Sequence, residues 1–96
     1  MPFTLVYHPS VAEKDVPSLP LNVHHRISRA IETRLGEAPE QHGAPLKGTL
    51  KGYWKLRVGD YRVVYKIVGS EVRIFGIRHR RRIYQDVLLR IGRAGS

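Results

Sequence analysis

Ninety-six residues without a cysteine, carrying a formal charge of +9 at pH 7, bound one small domain and exclude disulfide scaffolds, thiolate nucleophiles and thiolate metal sites. A chain this short buries only about 60–65% of the surface it exposes when unfolded, so a deep cofactor pocket is not expected. The charge is lopsided: residues 1–46 hold four Lys/Arg against five Asp/Glu and residues 47–96 hold thirteen against three, a field that draws polyanions and gives salt-sensitive binding.

Met1 to His8 lacks a basic segment followed by a long apolar run, and no stretch approaches the ~18 apolar residues of a membrane span. A cytoplasmic protein with no membrane partner is expected. Phe3 to Tyr7 alternates apolar residues up to Pro9, the pattern of a first strand. Ser10 and Glu13 stand at the S-x-x-E spacing of a capping box, which predicts a helix from Ser10, stopped within a turn or two by Pro17. A second helix is expected from Pro20 to Gly36. It carries Leu21, Val23, Ile27, Ala30, Ile31 and Leu35 on an apolar face, with His24, His25, Arg26, Arg29 and Glu32 turned to water. Pro39, Gly43, Pro45, Gly48 and Gly52 then predict loop for most of residues 37–52.

Gly59 and Asp60 separate two runs rich in aromatic and β-branched residues, a two-residue hairpin signal. That turn predicts a register in which Val58 faces Tyr61, Arg57 faces Arg62, Leu56 faces Val63, Lys55 faces Val64, Trp54 faces Tyr65 and Tyr53 faces Lys66. One face then carries Trp54, Leu56, Val58, Tyr61, Val63, Tyr65 and Ile67, enough to cover the second helix. The opposite face, expected to be open, carries Tyr53, Lys55, Arg57, Arg62, Val64 and Lys66, with two arginines directly opposed. Opposed like charges cost up to roughly 1 kcal/mol, and an uncompensated breach of a local rule marks a place to look for function.

Gly69 and Ser70 make the next turn. Val72, Ile74, Phe75 and Ile77 are apolar on both faces of the following strand, which belongs in the sheet interior, between the first strand and Tyr61–Val68. Beyond the basic run Arg78 to Arg82, Ile83, Tyr84, Val87, Leu88 and Ile91 space as a short amphipathic helix ending at Gly92. The expected fold class is α+β: one domain over residues 1–96, a small antiparallel sheet with two N-terminal helices on one face, and a short C-terminal helix.

The run Leu46-Lys47-Gly48, then Lys55 through Tyr65 (KLRVGDYRVVY), then Ile77-Arg78-His79-Arg80-Arg81 and Tyr84 resembles the RelE/ParE toxin superfamily of toxin-antitoxin pairs over most of the chain. The resemblance implies that family's microbial-ribonuclease-like fold and one of two activities. Ribonuclease-branch members cut messenger RNA in the ribosomal A site without metal or cofactor, and an antitoxin encoded beside them holds them inactive. ParE-like members poison DNA gyrase without nuclease activity. A third reading is a regulatory partner that binds operator DNA with its antitoxin.

Carried over by position, the resemblance makes Arg62 the arginine that contacts the scissile phosphate and Lys55 the strand lysine of acid/base work. Tyr84 becomes the C-terminal tyrosine that orients or stacks a base. Either Arg80 or Arg81 matches the arginine that assists the leaving group, since the gap to Tyr84 is shorter here than in the type member; Arg81 is assigned to catalysis and Arg80 to RNA binding. Tyr53 stands where some ribonuclease members have another lysine, which leaves the general base open. Arg57, Lys51, Lys66, His79 and Arg82 complete the expected RNA-binding set.

Metal-free cleavage uses the neighbouring 2′-hydroxyl as nucleophile and leaves a cyclic phosphate, so the protein must supply a base, a charge clamp and a proton. Paired guanidinium groups suit the clamp. A lysine among cations has its ammonium form disfavoured, a direction that suits acid/base work. An unperturbed imidazole such as that of His79 titrates near ~6.5, and a tyrosine ring stacks a base for ~1 to 3 kcal/mol. The plainer readings are that Arg57 and Lys66 are solvated strand residues, His79 a helix cap and Tyr84 an anchor for the last helix. His24 and His25 are adjacent, point apart, and have no carboxylate at metal-ligand spacing. An acidic, partly disordered antitoxin suits a +9 domain, covering its basic face or displacing its last helix.

Overall fold

Two glycine turns set the strand pairing. In the computed structural model, which describes residues 2–94, β1 (Thr4–Tyr7), β2 (Ala44–Pro45), β3 (Trp54–Val58), β4 (Tyr61–Val68) and β5 (Glu71–His79) form one sheet in the order β1-β5-β4-β3-β2. Gly59 and Gly69 have φ of 60° and 61°, and no other residue type adopts positive φ among the described residues. That combination is the II′ geometry, whose twist matches the flanking strands. The Gly59 turn gives the expected register from Val58↔Tyr61 to Trp54↔Tyr65. β5 lies between β4 and β1, as its two-sided apolarity predicts; it runs antiparallel to β4 but parallel to β1, so the sheet is mixed rather than wholly antiparallel as expected. A bulge at Val64/Tyr65 leaves Phe75 between the residues that pair with them, so Phe75 and Gly76 share one face of the sheet while Ile74 and Ile77 share the other.

On one face lie a π-helical turn (Val11–Asp15), a short 3₁₀ turn (Val16–Ser18) and α1 (Leu21–Ala30), which runs on as a π-helical turn (Ile31–Leu35) before Gly36. Val11, Ile27, Ala30, Ile31 and Leu35 pack there on Leu56, Val58, Val63, Tyr65, Val72, Ile74 and Ile77. Two local expectations fail. Leu21 is 69% exposed, because its place in the first turn of α1 lies outside the stripe that meets the sheet. Ser10 adopts helical dihedrals and makes no side-chain cap; its N–H donates to His8 Nδ1 at 3.1 Å, so the imidazole satisfies the donor the capping box was to serve.

The chain between Gly36 and Gly52 is loop except for a helical turn, α2 (Pro39–His42), the two-residue β2 and a 3₁₀ turn (Gly48–Leu50). It is fastened from below: the buried Tyr65 hydroxyl donates to Pro39 O at 2.6 Å, and a Cβ on Gly43 would overlap that hydroxyl. Burial, helped by Glu40, pushes the Tyr65 phenol upward. An unfolded tyrosine ionises near ~10, so above that pH the unfolded chain binds fewer protons than the folded one and Tyr65 subtracts stability as pH rises. Tyr65→Phe is expected to cost about 1–2 kcal/mol at neutral pH by orphaning the Pro39 carbonyl. The deficit should hold up to about pH 9 and shrink above about pH 10 in urea melts; a deficit undiminished at about pH 11 would count against the account.

The face expected to be open is roofed. α3 (Ile83–Ala94) packs Ile83 and Val87 on fully buried Val64 and on Leu50, with Tyr53, Phe75, Tyr84 and Ile91 around them. It settles there because Gly76 leaves room: a Cβ at that position would press into Val87 and Ile83. Gly92 does not end this helix, which continues to Ala94. No helix among the described residues is long and apolar enough to cross a membrane.

Candidate functional site

The opposed arginines gain a third member. Arg57 pairs with Arg62 across β3 and β4, and Arg62 with Arg78 across β4 and β5, so three guanidinium groups cross three adjacent strands in one row. Each is accommodated differently. Arg57 is exposed at the edge. Arg62 folds back on the hairpin, Nη1 donating to the carbonyls of Gly59 and Tyr61, both at 2.9 Å. Arg78 sits among carboxylates, its Nε 3.0 Å from Asp15 and 3.4 Å from Asp86, without the alignment of a hydrogen bond.

Asp15 is fully buried and fully engaged. Its Oδ2 accepts the Ile77 N–H at 2.8 Å and Arg90 Nη1 at 2.6 Å, and its Oδ1 accepts Arg90 Nη2. Arg90 also donates to Phe75 O at 3.1 Å. The bond to Asp15 raises the Arg90 guanidinium above its ordinary value, against the lowering effect of burial, so the guanidinium keeps its charge. The carboxylate thus replaces a strand at the part of the β5 edge that β1 does not reach, and it fastens α3 across that edge.

Lys55 and Arg62 lie on the same face as diagonal neighbours, since Lys55 opposes Val64 and Arg62 stands two residues before it. Both are half-buried. Their heads take different environments: Arg62 is held at the hairpin turn, whereas Lys55 and Tyr84 together line a shallow cleft of about 360 Å³ with Leu46, Lys47, Thr49, Leu50 and Leu88. The cation sharing the cleft with Lys55 is therefore Lys47, which the sequence offered only as part of the Leu46-Lys47-Gly48 run.

The other expected residues divide into groups. His79 opposes Tyr61 and meets its ring edge-on at 5.7 Å, so it belongs to the face that carries α1; its Nδ1 accepts the Arg81 N–H at 3.3 Å. Arg80, Arg81 and Arg82 are exposed on the turn leading into α3. Arg80 ties that turn to the hairpin through its N–H to Asp60 O at 2.9 Å, and Arg82 lies 3.9 Å from Asp86. Lys66 places Nζ 5.2 Å from the Tyr53 ring centroid, within cation–π range. Tyr53 in turn meets Phe75 edge-on at 5.4 Å, and Lys51 is exposed beside the Gly48–Leu50 turn. The structure gathers Lys55 with Tyr84, and Arg57 with Arg62, and sets His79 apart from both.

Asp15 and Arg78 were missed by sequence reasoning. The only signal was indirect: a lone aspartate in an otherwise amphipathic turn, and an arginine inside the apolar β5 run.

Residues 6–84 match the family model of the ParE toxin of the type II toxin-antitoxin system parDE. Among solved structures, the chain resembles the RelBE2 toxin-antitoxin complex of Mycobacterium tuberculosis at 27% identity, with a TM-score of 0.77 over 83% of this chain and 100% of the other. It also resembles the RelB-RelE antitoxin-toxin complex of Methanococcus jannaschii (21% identity, TM-score 0.66, 84% and 96% covered). The YoeB-YefM complex of Staphylococcus aureus follows at 18% identity, with a TM-score of 0.57 over 80% and 95%. No curated protein matches the sequence. With a family match over most of its length and this sheet, hairpin and C-terminal helix, the chain belongs to the ParE toxin family within the RelE/ParE superfamily, as a toxin of the type II toxin-antitoxin kind.

Proposed function

We propose that this toxin is a metal-independent endoribonuclease that cuts messenger RNA in the ribosomal A site and so inhibits translation. The observation that carries the proposal is the cleft shared by Lys55 and Tyr84, with Arg62 diagonal to Lys55 on the same face. It offers a proton-transfer group, a ring for an unstacked base and a guanidinium for the scissile phosphate. The 2′-hydroxyl gives up its proton and attacks the phosphorus, the bond to the departing 5′-oxygen breaks as that oxygen takes up a proton, and a 2′,3′-cyclic phosphate and a 5′-hydroxyl remain. Arg62 exchanges its two carbonyl acceptors for phosphate oxygens, and Arg81, free on the turn before α3, approaches the leaving oxygen.

An acidic antitoxin is the partner we propose, in keeping with the +9 charge and with the toxin-antitoxin complexes this fold resembles; the complex is then a candidate for operator DNA. Brief induction in growing cells, followed by sequencing of RNA 5′ ends, is expected to show cuts within translated codons that vanish for Arg62→Ala. Cuts that persist in that variant would sink the assignment of Arg62. A second reading, a gyrase poison without nuclease activity, is favoured by the family model matched. It predicts trapped gyrase–DNA complexes with messenger RNA intact.

A further inference from the structure

On the other side of the hairpin, α1, its continuation and the end of β3 enclose a groove of about 360 Å³ lined by Arg26, Arg29, Arg34 and Arg57, with Thr33, Ala30, Val58 and Gly59. No carboxylate of the described residues lines it. Four other arginines, Arg73, Arg78, Arg82 and Arg90, lie beside acidic side chains, whereas among the described residues none of the groove's four does. Four like charges converging without a counter-ion raise the energy of the free protein and favour an incoming anion. The close approach is built in: the Arg26 guanidinium lies over Gly59, where a Cβ would collide with it. β2 pairs with β3 only at Trp54 and Lys55, so no strand covers the edge at Arg57.

We infer that this groove is a second, non-catalytic phosphate-binding site that holds RNA backbone. Guanidinium forks match phosphate oxygens two at a time, and the groove has arginine where an unspecific basic surface would mix in lysine. Arg57 joins it to the arginine row of the opposite face, so one strand can pass from the cleft over the β3 edge into the groove. The inference rests on the RNA reading above for its ligand, and adds to it a contact that fixes the path of the strand.

The test is the binding of a labelled 12-nucleotide single-stranded RNA, measured across a range of salt, against a polyglutamate peptide of equal charge. In R26Q/R29Q/R34Q the affinity for RNA is expected to fall by roughly tenfold or more, and the slope of log K against log salt to shrink by about 2, the loss of three phosphates at ~0.7 each. The charge-keeping R26K/R29K/R34K should retain the slope while binding several-fold more weakly, and it reads the same site if the glutamine variant is poorly folded. RNA affinity and slope unchanged in both variants, or polyglutamate losing as much as RNA, would overturn the inference. A wild-type protein that cuts no RNA while the variants weaken RNA binding removes the nuclease reading and keeps the groove. Cutting by the wild type with an unchanged slope in the variants removes the groove alone.

Discussion

Asp15→Ala is expected to lower the unfolding free energy by about 3–5 kcal/mol, since it leaves buried cations without their partner. Asp15 is fully buried and accepts from Arg90 and the Ile77 N–H, with Arg78 beside it. Its loss strands the Arg90 guanidinium and one backbone donor, leaves Arg78 with Asp86 alone, and frees the end of α3 from the β5 edge. For a domain of this size the melting temperature should fall by roughly 12 °C or more, and urea denaturation gives the free energy directly. Removing the charge on both sides, with Asp15→Leu, Arg78→Met and Arg90→Met together, should recover much of the loss, because the penalty comes from the unpaired charge more than from the missing bridge. A single variant that unfolds within 1 kcal/mol of wild type would show that water or neighbouring carboxylates take over the role assigned to Asp15.

Lys55→Met is expected to slow RNA cleavage by about 10²–10⁴-fold, the usual worth of a positioned proton-transfer group, while the fold survives. The methionine can lie against Leu46, Leu50 and Leu88 in the cleft, and the side chain it replaces is only half-buried. Lys55→Arg keeps the positive charge but cannot lose its proton near neutrality. A defect shared by both variants therefore assigns proton transfer, and a defect of the methionine variant alone assigns charge. Single-turnover cleavage on programmed ribosomes separates these from weakened binding. Full activity in both variants would remove Lys55 from the chemistry and shift attention to Lys47 and Tyr84.

Much of this molecule can be read from its sequence because the decisive signals are short-range. Gly59 beside Asp60 sets a register that carries through to Trp54 and Tyr65, and the two-sided apolarity of Val72 to Ile77 places β5 in the interior. The candidate cleft is legible in part, since Lys55 and Tyr84 come from the motif. What sequence periodicity does not reveal is which face the last helix covers. Tyr53, Lys55, Arg57 and Arg62 make their face look polar, yet Val64 and the vacancy over Gly76 suffice to seat α3 there. The burial of Asp15 is equally hidden, because its partners come from β5 and α3, far along the chain. His79 reads as part of the basic run, and only strand alternation opposite Tyr61 turns it away.

Asp15 and Arg90 are 75 positions apart, and Asp15 and Ile77 are 62 apart. Contacts that close loops of that length form late, after the local β3–β4–β5 meander has condensed. The latch therefore acts on the lifetime of the native state and hardly on the speed of reaching it. A chain deprived of it would renature at nearly the ordinary rate and yet open often, offering itself to proteases as a short-lived protein.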